Sequence, residues 1–122
     1  MNQKNTKQQF IAIFGEVGEQ VLHRIAGHSP RLVEHIYDYI AGNLYQDKTL
    51  DLRTRELCVI ACLAAQGGLN EQLGVHIRTA IHGGVTKFEI VSAIEAVGTY
   101  AGIPRALNAL FTAIQVFDEI QK

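Results

Sequence analysis

The sequence predicts an all-α domain of about six helices. Two observations carry that prediction. Apolar residues recur every three or four positions in successive segments, while strict alternation of apolar and polar residues is scarce. Capping residues and most of the eleven glycines fall between those segments.

The first helix is expected from about Thr6 to Ala26, with Phe10, Ile13, Phe14, Val17, Val21 and Ile25 on one stripe. Gly15 and Gly18 weaken it, and Gly27 can end it. Ser29 caps the second helix, and Pro30 fits its first turn, where the missing N–H would have had no partner. Leu32, Val33, Ile36, Tyr37 and Ile40 form its face, and Gly42-Asn43 stops it. Asp51 caps a third helix from about Leu52 to Gln66, closed by Gly67-Gly68. Asn70 is the expected cap of a fourth, running to about His82. Thr86 and Glu89 have capping-box spacing for a fifth, with Ile90, Ala93, Ile94, Val97 and Tyr100 as its stripe. Gly102 and Pro104 break and restart the chain, and Leu107, Leu110, Phe111, Ile114 and Phe117 line the last helix. No linker or repeat divides these segments, so residues 1–122 read as one domain.

Composition narrows the function classes. The 122 residues are 48% hydrophobic and 19% charged, an apolar share high enough to leave surface for partner subunits. Eleven basic and twelve acidic residues give no bias toward nucleic acid or an anionic membrane. No apolar run approaches the roughly 18 residues of a membrane span, and the N-terminal M-N-Q-K-N-T-K-Q-Q lacks a signal-peptide pattern. A soluble cytoplasmic protein is expected.

Both cysteines lie in R-E-L-C-V-I-A-C-L-A-A, residues 55–65. Positions four apart on a helix hold Cβ atoms about 5–6 Å apart, whereas a disulfide needs about 3.5–4.5 Å. Cys58 is also two turns from the helix start, beyond the reach of the helix dipole. The surrounding run from Leu57 to Ala65 is apolar almost all round, so Cys58 and Cys62 are expected to be inert core residues. A redox pair and a pocket-lining role are the alternatives.

Two polar residues interrupt apolar stripes. Glu56 shares a face with Leu52, Val59, Ile60 and Leu63, and His76 shares one with Leu73, Ile77, Ala80 and Ile81. Each has an ordinary explanation, a rim ion pair for Glu56 and a satisfied core imidazole for His76. Antiparallel packing across the Gly67-Gly68 turn would bring the two stripes together, and a carboxylate with an imidazole in one apolar pocket is a proton-transfer pair. His82 is either a helix-terminal cation or a second pocket group. Arg53, Arg55 and Arg78 can hold the carboxylates of an anionic substrate or form a solvated rim. His23, His28 and His35 make no compact ligand cluster, so no metal is expected, and no phosphate-binding glycine motif is present.

Three separated segments, L-D-L-R-T-R-E-L, L-N-E-Q-L-G-V-H-I-R-T-A-I-H-G-G-V-T-K-F-E-I and Y-A-G-I-P-R-A-L-N-A-L, resemble the carboxymuconolactone decarboxylase family in the order expected. The resemblance runs from about Pro30 to Glu119, and residues 1–28 match less clearly as an N-terminal helical extension. It implies an alkylhydroperoxidase D-like helical fold with a central antiparallel hairpin, assembled as a homotrimer or homohexamer. One branch of the family decarboxylates 4-carboxymuconolactone without a cofactor. The other reduces peroxide with a C-x-x-C-x-x-x-H motif and an upstream glutamate. The motif histidine falls on His76 and the glutamate near Glu56, but the two cysteine positions hold Leu69 and Gln72. That departure favours a decarboxylase with His76 and Glu56 catalytic, and with Arg53, Arg55, Arg78 and His82 facing a small anionic substrate. A thiol-dependent peroxidase or disulfide reductase, and a non-catalytic ligand-binding oligomer, are the alternatives.

Overall fold

A computed structural model describes residues 3–121, with side chains from Asn5 onward. Every element among the described residues is helical, and six are α-helices, as the periodicity predicts. They fall into two compact units, one ending at Leu50 and one beginning at Asp51.

In the first unit, α1 spans Gln3–Ala26 and α2 spans Pro30–His35. Gly15 (φ 65°, ψ −158°) kinks α1 in a conformation that side chains with a Cβ rarely adopt. Gly18 is needed for a different reason, because a Cβ there would collide with Phe14 and press on the Phe10 ring. Those rings sit 4.9 Å apart and are capped edge-on by Tyr37 and Tyr45. Ser29 accepts from Leu32 N–H as expected. The second helix does not stay α-helical to Gly42. From Ile36 to Ala41 it widens into π-helical turns, then a 3-10 turn follows at Leu44–Gln46. Within that widened stretch Asp38 accepts a hydrogen bond from the buried Thr6 hydroxyl, 3.2 Å away.

The second unit contains α3 (Leu52–Gln66), α4 (Asn70–His82), α5 (Lys87–Ala101) and α6 (Ile103–Ile120). Asp51 accepts from Thr54 N–H at 2.8 Å, and Thr86 with Glu89 closes a reciprocal capping box. The fourth helix starts one residue earlier than expected. Leu69 is its cap residue, its carbonyl accepting from Leu73 N–H, and Asn70 caps nothing. Gly67 (φ 74°) and Gly68 (φ 75°) turn α3 back onto α4. The core gathers Ile60 and Ala64 of α3, Leu73 and Ile77 of α4, Ile90 and Ile94 of α5, and Ala109 and Ala113 of α6. Small residues set its tightness: a Cβ at Gly98 would lie 3.3 Å from Ala106.

Several expected stripes do not point inward throughout: Val17 on α1, Leu32 on α2 and Leu52 on α3 are exposed. Tyr100 is exposed, and on α6 it is Ala109, Ala113 and Val116 that are buried, while Leu107, Phe111 and Ile114 face outward. The apolar pattern of α6 covers two faces, and α6 meets α3, α4 and α5 with the smaller one. No described helix is long and apolar enough to cross a membrane.

Candidate functional site

Glu56 and His76 come together in the second unit. The Glu56 row of α3 continues through Ile60 and Ala64, the one inward-facing line of that helix. Glu56 is therefore completely buried (0% exposed). Its Oε2 lies 2.9 Å from His76 Nδ1 across the α3–α4 hairpin. The His76 side chain keeps 16% of its surface exposed, so the ring reaches from a buried carboxylate toward the surface. The contact occupies Nδ1 and fixes the ring's orientation, which leaves Nε2 as the ring nitrogen turned away from Glu56. The first turn of α4 precedes His76 and the Gly67-Gly68 turn sets the hairpin register. Both residues thus sit on rigid helices and not on loops.

The basic residues are placed differently. Arg53 is held within its own unit. One guanidinium nitrogen lies 2.8 Å from both Glu89 carboxylate oxygens and another bonds the Gly84 carbonyl. It ties the start of α3 to the start of α5. Arg78 pairs with Glu119 at the end of α6. Arg55 is half-buried on α3, and His82 is exposed as the last residue of α4. The structure brings none of Arg53, Arg78 and His82 into a hydrogen bond with the Glu56–His76 pair. Glu89 and Glu119 escaped sequence reading as arginine partners. Only the capping-box spacing marked Glu89, and it gives no hint of a contact 36 residues away.

Glu89 is held below the usual carboxylate range, first by the Thr86 backbone N–H and then by Arg53. Asp51 is lowered likewise, chiefly by Thr54 N–H.

Cys58 and Cys62 are exposed, which corrects the expectation of core residues. Each is two positions, or about 200°, from the buried Glu56–Ile60–Ala64 row, so both occupy the opposite face of α3. An apolar run gives no direction, and the enclosure expected around the whole helix covers only one side of it. The Gln66 carboxamide lies 3.4 Å from Cys62 Sγ. Among the described residues no group of three or more His, Cys, Asp and Glu side chains could hold a metal ion.

The chain is 29% identical to a 4-carboxymuconolactone decarboxylase of Acinetobacter baylyi over 98% of its own length and 92% of the relative's. It is 30% identical to a nitrosuccinic acid decarboxylase of Metarhizium robertsii, over 71% of this chain and 60% of that one. An uncharacterized 15.0 kDa protein of Paracoccus denitrificans, from an nqo9-nqo10 intergenic region, is 35% identical over 64% of this chain and 59% of its own length. The model of one family matches residues 30–115, which contain the whole α3–α4 hairpin. On that match the chain belongs to the carboxymuconolactone decarboxylase family.

Proposed function

We propose that this protein is a cofactor-independent decarboxylase of a small carboxylated substrate, with His76 and Glu56 transferring the proton. The observation that carries this reading is the 2.9 Å contact between a fully buried carboxylate and a partly exposed imidazole. Loss of carbon dioxide breaks a carbon–carbon bond and leaves its electron pair on the remaining carbon. A conjugated carbonyl spreads that charge, and a proton must then reach the carbon. With Nδ1 directed at Glu56, proton exchange with substrate falls to Nε2 of His76. The imidazolium gives up that proton, the neutral ring is left oriented by Glu56, and solvent restores the proton for the next cycle. Burial of Glu56 strengthens its hold on the ring, because the surroundings screen it poorly.

The two named relatives that are decarboxylases act on different acids. Their shared element is the loss of carbon dioxide, which supports the reaction class more than any single substrate. 4-Carboxymuconolactone is the first candidate, since the relative named for it aligns over nearly the full chain. Arg55, half-buried on α3, and His82, exposed at the end of α4, are proposed carboxylate contacts. Arg53 and Arg78 would have to exchange Glu89 and Glu119 for substrate.

The test is carbon dioxide release from 4-carboxymuconolactone and from nitrosuccinic acid, with peroxide plus a dithiol as a competing assay. Turnover of either acid that disappears in His76→Ala supports the proposal. Full turnover in His76→Ala, or peroxide reduction lost in Cys58→Ser, overturns it. The thiol alternative would work on the face of α3 turned away from Glu56, without the carboxylate–imidazole pair.

A further inference from the structure

The face of α3 turned away from Glu56 carries two thiols that the proposed proton transfer does not use. Cys58 and Cys62 are both exposed and one helical turn apart, and Gln66 follows at the same spacing, also exposed. The other side of the helix is anchored in the core by Ile60 and Ala64, so the backbone holds the two thiols at a set separation. Side chains on a helix lean toward its N-terminus, which brings the sulfur of Cys62 over the turn that carries Cys58. Gln66 reaches back in the same way, and its carboxamide nitrogen donates to Cys62 Sγ over 3.4 Å.

We propose that Cys58 and Cys62 together bind one soft, two-coordinate metal ion of the copper(I) class. Reach is the first argument. Cβ atoms four positions apart lie about 5–6 Å from each other, too far for a disulfide, which needs about 3.5–4.5 Å. A metal ion between the sulfurs widens the bridge by one atom. Two metal–sulfur bonds of about 2.3 Å in line set the sulfurs roughly 4.6 Å apart, a span that an undistorted helix can supply. The pair that is too wide to oxidise to a disulfide is therefore suited to an ion.

The donor set selects the ion. Thiolates favour soft metals, among them copper(I), zinc and the iron of iron–sulfur clusters. Zinc and iron–sulfur sites take four protein ligands, whereas among the described residues no group of three or more His, Cys, Asp and Glu side chains could hold a metal ion. Two thiolates in line complete the coordination of copper(I). The run from Leu57 to Ala65 contains no charged residue, so it adds no hard carboxylate oxygen to compete for a different ion. The Gln66 hydrogen bond is the kind of outer contact that orients a ligand atom and disperses its charge. On binding, each thiol gives its proton to solvent, two metal–sulfur bonds form, and no electron is transferred. The site lies on the opposite face of α3 from Glu56 and is independent of the chemistry proposed for that residue and His76.

The experiment is an anaerobic titration of the reduced full chain with copper(I) held by bathocuproine disulfonate, with zinc(II) as the second probe. Wild type is expected to withdraw one equivalent of copper(I) per chain without a change in sedimenting mass, and to bind zinc(II) far more weakly. Cys58→Ser and Cys62→Ser are each expected to weaken copper(I) binding at least tenfold, with unchanged circular dichroism. Cys62→Ser combined with Gln66→Cys keeps two exposed thiols but sets them two turns apart, and it is expected to lose the tight site as well. X-ray absorption of the loaded wild type, which needs no substitution, is expected to show two sulfur neighbours. Equal copper(I) binding by the displaced pair or by either serine variant, binding only between two chains, zinc(II) binding as tight as copper(I), or nitrogen or oxygen ligands in the absorption spectrum would overturn the proposal.

Discussion

Glu56 Oε2 and His76 Nδ1 lie 2.9 Å apart, yet one residue is wholly enclosed and the other reaches the surface. In the proposed chemistry the pair is therefore directional: the carboxylate fixes and the imidazole exchanges. His76→Ala is expected to lower turnover by about 10²- to 10⁴-fold, the usual contribution of a positioned acid–base group. It also takes a partner from a buried carboxylate, which is expected to lower stability by about 1–3 kcal/mol. Thermal unfolding together with carbon dioxide release measures both. Unchanged values in both assays would separate the pair from the reaction.

Glu56→Gln keeps the shape but removes the charge that orients and stabilises an imidazolium. The expected outcome is a fall in kcat with little change in KM, because the ring loses the charged partner that orients it. A kcat identical to wild type would show that Glu56 does not act through His76.

The Arg53–Glu89 contact gives the fold an acid-sensitive tie. Folding lowers the Glu89 pKa, through the Thr86 N–H first and Arg53 second. A lowered carboxylate stabilises the folded state fully above its unfolded value, about 4.3, and the contribution is lost as pH falls through the lower folded value. Glu89→Gln is expected to flatten the stability decline below about pH 4.3 while leaving its shape near pH 7 unchanged. Denaturant melts at pH 3 and pH 7 provide the comparison, and equal acid sensitivity in the two proteins would count against this role.

Both thiols are expected to react in the native protein. Cys58 and Cys62 are exposed, so an aromatic disulfide reagent should titrate close to two equivalents without denaturant. Labelling only after unfolding would show that something covers that side of α3.

Gly67 has φ 74° and ψ 155°, a region essentially confined to glycine. Gly67→Ala is expected to cost about 1–3 kcal/mol in unfolding free energy. Because the turn sets the register between Glu56 and His76, turnover should fall with it. A substitution with no effect on either would mean the turn relaxes into another conformation.

Local chemistry was the most legible part of this sequence. Ser29, Asp51 and the Thr86–Glu89 box announce helix starts because a cap is made by neighbours three residues apart. The Glu56–His76 contact was legible for a related reason, as two polar residues on apolar stripes of helices joined by a short turn. What failed was orientation. The run from Leu57 to Ala65 is apolar on every side, so no moment says which side is covered, and Cys58 and Cys62 proved to be outside. On α6 the large residues made the stronger pattern while alanines made the core, so Leu107 and Phe111 were assigned inward. The widening at Ile36–Ala41 has no compositional sign; within it Asp38 and Tyr37 meet Thr6 and Phe10 of α1.

The hairpin that carries the pair has a further consequence for how the protein is made. Glu56 and His76 are separated by 20 positions along the chain. Closing a loop of that length costs about 1.6 kcal/mol less entropy than joining residues a full chain length apart, by the logarithmic dependence on loop size. The contact on which the proposed chemistry depends is thus among the less demanding long-range contacts for a searching chain to find. It requires only two helices and a glycine turn, and its geometry can be set before α5 and α6 have docked.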